Sequence, residues 1–314
     1  MKKDYFQGLS EDGFHRVAYT EWGTPNSTHI PIVCVHGLTR NGRDFDSLAE
    51  YLTYFGCHVF CPDIIGRGDS DWLKNPLHYT YEQYLADLNA MIARIHTKQV
   101  DWVGTSMGGL LGMILAAMPN SPIRRLVLND VGPQIPVNAI SRLAKYAGKD
   151  PDFSNIEEAK KYFKIIYADF GHMTEEQWQH FTENSVHEVT PGKFTTKIDP
   201  GIKQTPAKSK LAWQLLLNPH KALEGTFFDV DLWHIWRKVT CPVLVIHGGR
   251  SDLLLPDILI KMHNLHPNMD ILEIPNAGHA PALQDPVQQE VIYRWLIDGF
   301  ESHKQDANIV TPTI

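Results

Sequence analysis

Ser106 stands in Gly104-Thr105-Ser106-Met107-Gly108, directly after the run Val100-Asp101-Trp102-Val103. A stripe of Leu110, Leu111, Ile114 and Leu115 at helical spacing follows it. A serine between two glycines, at a turn from strand to helix, is the pattern that lifts a hydroxyl above a sheet. The glycines allow close chain passage, and the turn forces the serine into a strained backbone state. A serine hydroxyl is a weak nucleophile and needs a base, and the base needs an orienting acid. His279, in Asn276-Ala277-Gly278-His279-Ala280-Pro281, is the candidate base, because its loop follows one strand-like run and precedes the last helical stripe. Asp252 is the leading orienter, at the end of His247-Gly248-Gly249-Arg250-Ser251-Asp252. Asp130, in Leu128-Asn129-Asp130-Val131, also ends a strand and is the competing orienter. Two backbone N–H groups are expected to stabilise charge on a carbonyl oxygen: Met107, after the nucleophile, and Leu38, in His36-Gly37-Leu38-Thr39. His36 is expected to fix its loop by hydrogen bonding.

These residues need a scaffold, and the apolar runs supply one. Short runs at Ile30 to Val35, His58 to Cys61, Val100 to Val103, Arg125 to Leu128, Val243 to Ile246 and Asp270 to Ile274 read as strands covered on both faces. An earlier segment with Phe14, Val17, Tyr19 and Trp22 reads as a strand at the edge. Helical stripes lie between several runs: Tyr84, Leu88, Met91, Ile92 and Ile95 in one, Val287, Val291, Trp295 and Leu296 in another. Strands alternating with helices predict an α/β fold with a mostly parallel sheet and helices on both faces. The rhythm stops after Asp130. From Gly132 to Trp236 the chain predicts helices at Ile156 to Asp169, Glu175 to Ser185 and Lys208 to Leu217, with an extended piece at Phe194 to Ile198. We therefore expect a core of residues 1–131 and 237–301, an inserted, mainly helical lid over 132–236, and a flexible tail over 302–314.

A length of 314 residues is ample for one large α/β domain with an insertion. The net charge of -7 argues against broad binding to nucleic acid or anionic membrane. No run approaches the roughly 20 apolar residues of a membrane span, and no signal-peptide stretch follows Met1. Of Cys34, Cys57, Cys61 and Cys241, three sit within or beside apolar runs, and they read as buried thiols rather than a disulfide framework, so a cytoplasmic location is expected. Cys57 and Cys61 lack CxxC spacing.

The assembly resembles the α/β-hydrolase superfamily, and in particular its lidded serine esterases, over nearly the whole chain. The resemblance is carried by the Ser106 pentapeptide, Asp252 after Gly248-Gly249, His279 after Gly278, and the His36-Gly37 turn. It extends to Asp63-Ile64-Ile65-Gly66-Arg67-Gly68-Asp69-Ser70, a loop that in lidded members turns beneath the mouth of the site. The order Ser106, Asp252, His279 is the nucleophile-acid-base order of that fold. The resemblance implies hydrolysis of a small or medium carboxylic ester through an acyl-enzyme, with no cofactor or metal and a small-molecule acyl substrate. A carbon-carbon bond hydrolase, perhydrolase, acyltransferase or aminopeptidase could use the same three side chains, and a ligand-binding receptor could keep them. Haloalkane dehalogenases and epoxide hydrolases of the superfamily use an aspartate nucleophile, and Ser106 argues against those activities. Gly66-Arg67-Gly68 lacks the spacing of a dinucleotide loop. Aromatic residues of the insertion, among them Tyr162, Tyr167, Phe170, Trp178, Phe181, Trp213, Phe227 and Phe228, are candidates to line an apolar pocket. Arg40 and Arg43 could meet an acidic leaving group or simply face solvent.

Overall fold

A computed structural model describes residues 1–25, 27–139, 142, 151–204 and 230–298. Its centre is an eight-stranded sheet: β1 (Lys2–Ser10), β2 (Gly13–Trp22), β3 (Ile32–Val35), β4 (Val59–Pro62), β5 (Val100–Thr105), β6 (Ile123–Asn129), β7 (Val243–Gly248) and β8 (Met269–Ile274). The spatial order is β1-β2-β4-β3-β5-β6-β7-β8. β1 and β2 form an antiparallel hairpin, β2 runs antiparallel to β4, and every other pairing is parallel.

The parallel strands are apolar on both sides because both faces are covered. Val33, Val35, Trp102, Leu126 and Leu128 pack into one core cluster. Ile32, Cys34, Val103, Val127 and Leu244 point the other way into a second, the two-residue alternation of a strand. The covering helices are α1 (Asp46–Tyr54), α2 (Tyr81–Arg94), α3 (Met107–Ala116), α6 (Pro256–Leu265) and α7 (Pro286–Asp298). α3 is buried on nearly all sides, as its uniformly apolar composition requires. The edge strand β1 has no counterpart in the sequence reading. Its solvated face carries Tyr5 and Leu9 beside Lys3 and Gln7, while its inner face carries Phe6 and Gly8 beside Asp4, so neither face gives a clean apolar stripe.

The insertion between β6 and β7 contains α4 (Ile156–Ile166) and α5 (Glu175–Ser185). Asn155 caps α4 by accepting from Glu158 N–H, and Thr174 with Gln177 forms a reciprocal cap on α5. The expected helix to Asp169 stops at Ile166 and gives way to a 3-10 turn at Ala168–Phe170, closed by Gly171 at φ 91°. The extended piece lies in a small three-stranded sheet of Asp152–Phe153, Lys193–Thr196 and Val186–Thr190. Phe153, Phe163, Met173, Trp178 and Phe181 form the insertion's own core. The expected helix at Lys208 to Leu217, Trp213, Phe227, Phe228 and the tail over 302–314 lie outside the described residues. Among the described residues, no helix is long and apolar enough to cross a membrane. All four cysteines are free; Cys34, Cys57 and Cys61 are buried and Cys241 is half-buried.

Candidate active site

Ser106 sits between β5 and α3 at φ 50° and ψ -112°, a region that L-residues rarely occupy. The turn is enforced by contacts that leave no room for side chains. A Cβ on Gly104 would lie 2.4 Å from the backbone of Gly108, and one on Gly108 would lie 2.0 Å from Val35 O. Trp102 Nε1 donates to Gly108 O at 3.0 Å, tying the start of α3 to its own strand.

His279 reaches the serine from the loop after β8. Its Nε2 lies 2.9 Å from Ser106 Oγ. The loop is held from two sides: Asn129 Nδ2 donates to Pro281 O at 2.8 Å, and Gly278 N–H donates to Asp169 O of the insertion at 2.7 Å.

The acid behind His279 is Asp130, and this corrects the expectation for Asp252. His279 Nδ1 lies 2.8 Å from Asp130 Oδ2. Asp130 is fully buried at φ 54°, and its carboxylate also accepts from Gly248 N–H at 2.9 Å and from Ser251 Oγ at 2.6 Å. Three groups, from the turn after β7 and the loop after β8, thus meet on this one carboxylate. Asp252 instead points outward: its side chain is 51% exposed and forms a two-pronged pair with Arg142 at 2.6 Å. The turn that was expected to deliver Asp252 holds Asp130 with Gly248 and Ser251. In chain order the three residues brought together are Ser106, Asp130 and His279.

The loop after β3 faces the serine. Gly37 brings its backbone within van der Waals distance of Ser106, where a Cβ would sit 3.8 Å from the serine Cβ. Gly37 O accepts from His36 Nδ1 at 2.7 Å and from Arg40 N–H at 3.2 Å. Ile64 N–H donates to His36 Nε2 at 2.9 Å, so the ring is neutral and its proton is on Nδ1. Burial pushes the His36 pKa down to about 3, with Arg67 and Arg40 adding to the shift against the Gly37 carbonyl. The peptide joining Gly37 to Leu38 is thus gripped by its carbonyl, which aims Leu38 N–H the opposite way. Among the described residues, neither Leu38 N–H nor Met107 N–H has a hydrogen-bond acceptor. They are available to a carbonyl oxygen.

Leu38, Ser106 and His279 share one cavity, whose roof includes Tyr167, Phe170 and Phe181 of the insertion. Tyr162 and Trp178 pack within the insertion instead. Arg40 also lines the cavity and is buried rather than solvated. Its guanidinium lies 3.5 Å from the Phe181 ring centroid and pairs with Asp44. Arg43 pairs with Asp46 and donates to Asn184 Oδ1 at 2.7 Å, so both arginines fasten the insertion to the core. Asn129 and Ser251 were missed by sequence reasoning; the polar pair Asn129-Asp130 closing an apolar strand was the available signal for the first. Among the described residues, no group of three His, Cys, Asp or Glu is placed to hold a metal ion.

A profile of the alpha/beta hydrolase family matches residues 32–290. The chain belongs to the alpha/beta hydrolase family. It is 40% identical to the 3-hydroxybutyrate-oligomer hydrolase of Cupriavidus necator, over 90% of this chain and 94% of that one. The crystal structure of a chain from Rickettsia typhi superposes with a TM-score of 0.83 at 33% identity, covering 94% of this chain and 99% of that one. An α/β hydrolase from Novosphingobium aromaticivorans superposes with a TM-score of 0.77 at 31% identity, covering 94% and 97%.

Proposed function

We propose that the protein is a serine-dependent carboxylic ester hydrolase working through an acyl-enzyme. The observation that carries this reading is the continuous relay from Ser106 Oγ through His279 to the buried Asp130. In the proposed mechanism His279 Nε2 takes the Ser106 proton as Oγ attacks the ester carbonyl. Asp130 stabilises the imidazolium that forms. Leu38 and Met107 N–H groups bind the oxyanion, and His279 returns its proton to the departing alcohol. Water then attacks the acyl-enzyme by the same route, releasing the acid. The chain's own side chains and backbone suffice for each step.

For the substrate we propose short oligoesters of a small hydroxy acid. The support is the similarity to a relative described as acting on 3-hydroxybutyrate oligomers, and a cavity beside Ser106 with the aromatic walls of Tyr167, Phe170 and Phe181. Four free thiols support a reducing, cytoplasmic setting.

The test is labelling by a fluorophosphonate, followed by hydrolysis of 3-hydroxybutyrate dimer and trimer beside p-nitrophenyl butyrate. We expect one phosphonyl adduct on Ser106 in the wild type, none in Ser106→Ala, and turnover of the oligomers. Folded wild type that neither labels with an active probe nor turns over any ester would refute the hydrolase reading. Turnover of p-nitrophenyl butyrate without that of the oligomers would refute only the substrate class.

A further inference from the structure

We propose that Arg67 is a positioning residue for the oxyanion site, gripping Leu38 by its carbonyl from behind the cavity. The proposal rests on the hydrolase reading above. Arg67 is completely buried. Its Nε donates to Leu38 O at 3.1 Å, and one terminal nitrogen donates to Ile65 O at 2.9 Å and to Tyr84 Oη at 2.8 Å. The other terminal nitrogen, Nη2, is buried without a hydrogen-bond partner among the described residues. The guanidinium lies 4.9 Å from the Tyr84 ring centroid and 5.9 Å from that of Tyr79.

Among the described residues, no carboxylate pairs with this cation. A buried charge held only by dipoles and ring faces is costly, and an apolar side chain of similar volume would avoid the cost. What the arginine adds is a rigid, charged donor on Leu38. The peptide before Leu38 is held by His36 and by Arg40 N–H through Gly37 O. The peptide after Leu38 is held by Arg67 through Leu38 O. With both flanking carbonyls fixed, the direction of Leu38 N–H is fixed as well. Arg67 does not line the cavity, so its contact with substrate is indirect. Its positive charge does reach this loop, where it helps to keep His36 neutral.

The aim of the side chain is itself held. Gly66 at φ 84° and Gly68 at φ 60° let the turn press against Asp63 and Tyr79. Gly68 N–H donates to Lys197 O, and Asp199 N–H donates to Gly66 O, both at 2.9 Å. The Arg67 backbone is thereby clamped to the insertion, and its side chain reaches the oxyanion loop from a fixed base.

The experiment compares wild type, Arg67→Met, Arg67→Lys and Tyr84→Phe. Readouts are kcat and KM on p-nitrophenyl butyrate, the Ki of butylboronic acid, and circular dichroism. The boronate forms a tetrahedral adduct with the serine and reads the oxyanion donors directly. Loss of an oxyanion donor costs about 100- to 1000-fold in kcat; for a residue acting through that donor we expect about 10- to 100-fold. For Arg67→Met the loss falls in kcat, KM stays within about threefold, and the boronate Ki rises by the same factor as kcat falls. Arg67→Lys restores part of both. A folded Arg67→Met with unchanged kcat, or with a change in KM alone, overturns the proposal. If Arg67→Met fails to fold, Tyr84→Phe decides: a lower kcat at constant KM supports it, and an unchanged kcat overturns it. Fluorophosphonate labelling of wild type and Ser106→Ala is run alongside. Wild type that fails to label overturns the hydrolase reading and this proposal together, whereas normal Ser106 labelling with a silent Arg67→Met overturns this proposal alone.

Discussion

Replacing Asp130 by Asn tests which carboxylate serves His279. The substitution keeps the volume of a fully buried side chain and removes its charge. Gly248 N–H and Ser251 Oγ both donate to Asp130, and His279 Nδ1 faces the same oxygen as Ser251. An amide cannot accept from all three. If its NH2 turns toward His279, the ring must carry its proton on Nε2, where it can no longer accept from Ser106. If its oxygen turns toward His279, the imidazolium still loses the carboxylate charge. Loss of the orienting acid lowers kcat by about 10⁴ in comparable triads, equal to about 5 kcal/mol in the barrier. Asp252→Asn removes only a half-exposed pair with Arg142, which is worth about 1 kcal/mol of stability or less. Its kcat should stay within about threefold of wild type, since it touches neither His279 nor Ser106. The assay is steady-state hydrolysis of p-nitrophenyl butyrate, with urea unfolding to show that each variant is folded. A hundredfold loss in Asp252→Asn with near-normal Asp130→Asn would refute the assignment and return the role to Asp252.

Two further outcomes follow from the same geometry. His36 is neutral when folded, with its pKa pushed down to about 3 by burial, whereas an unfolded histidine titrates near about 6.5. Between these values the unfolded chain binds the extra proton, so this contribution to stability is full above about pH 6.5 and is lost as the pH falls toward 3. Urea unfolding from pH 4 to 6 should give a stability slope about 1.4 kcal/mol per pH unit steeper in wild type than in His36→Asn; parallel slopes would contradict a buried neutral ring. Gly108→Ala places a methyl 2.0 Å from Val35 O, so it should destabilise the protein by about 3 kcal/mol or more and abolish labelling of Ser106. Labelling at the wild-type rate together with an unchanged urea midpoint would show that this close packing is wrong.

Much of the molecule was legible in the chain because short-range chemistry wrote it. The apolar runs of β3 to β8 are strands because both sheet faces are covered, and that requirement is visible as continuous hydrophobicity. β1 escaped because its solvated face carries Tyr5 and Leu9 and its inner face carries Asp4 and Gly8, so the two-residue alternation has little contrast. Ser106 and His279 were legible because each is set by its immediate neighbours: two glycines that must be small, and a glycine-rich loop after a strand. The roof aromatics were legible only as a group. Tyr167, Phe170 and Phe181 reach the cavity and Trp178 does not, by the way α4 and α5 pack on each other.

The choice of acid shows where sequence stops. Asp130 and Asp252 both follow the ends of adjacent parallel strands, β6 and β7, and the glycine-rich turn before Asp252 makes it the leading reading and Asp130 the competitor. The tertiary structure separates them by hydrogen bonding. The turn after β7 folds back to place Gly248 N–H and Ser251 Oγ on Asp130, and in doing so carries Asp252 out to Arg142. Arg67 has the same lesson: its sequence motif is a glycine-flanked turn, and only the packed chain brings its guanidinium to Leu38 O, 29 residues away. The chain by itself determined the strands, the strained serine turn and the histidine loop, each enforced by neighbours a few residues away. Which carboxylate and which cation serve them was decided by contacts between segments far apart in sequence, because a hydrogen bond depends on distance and direction that only the assembled fold supplies.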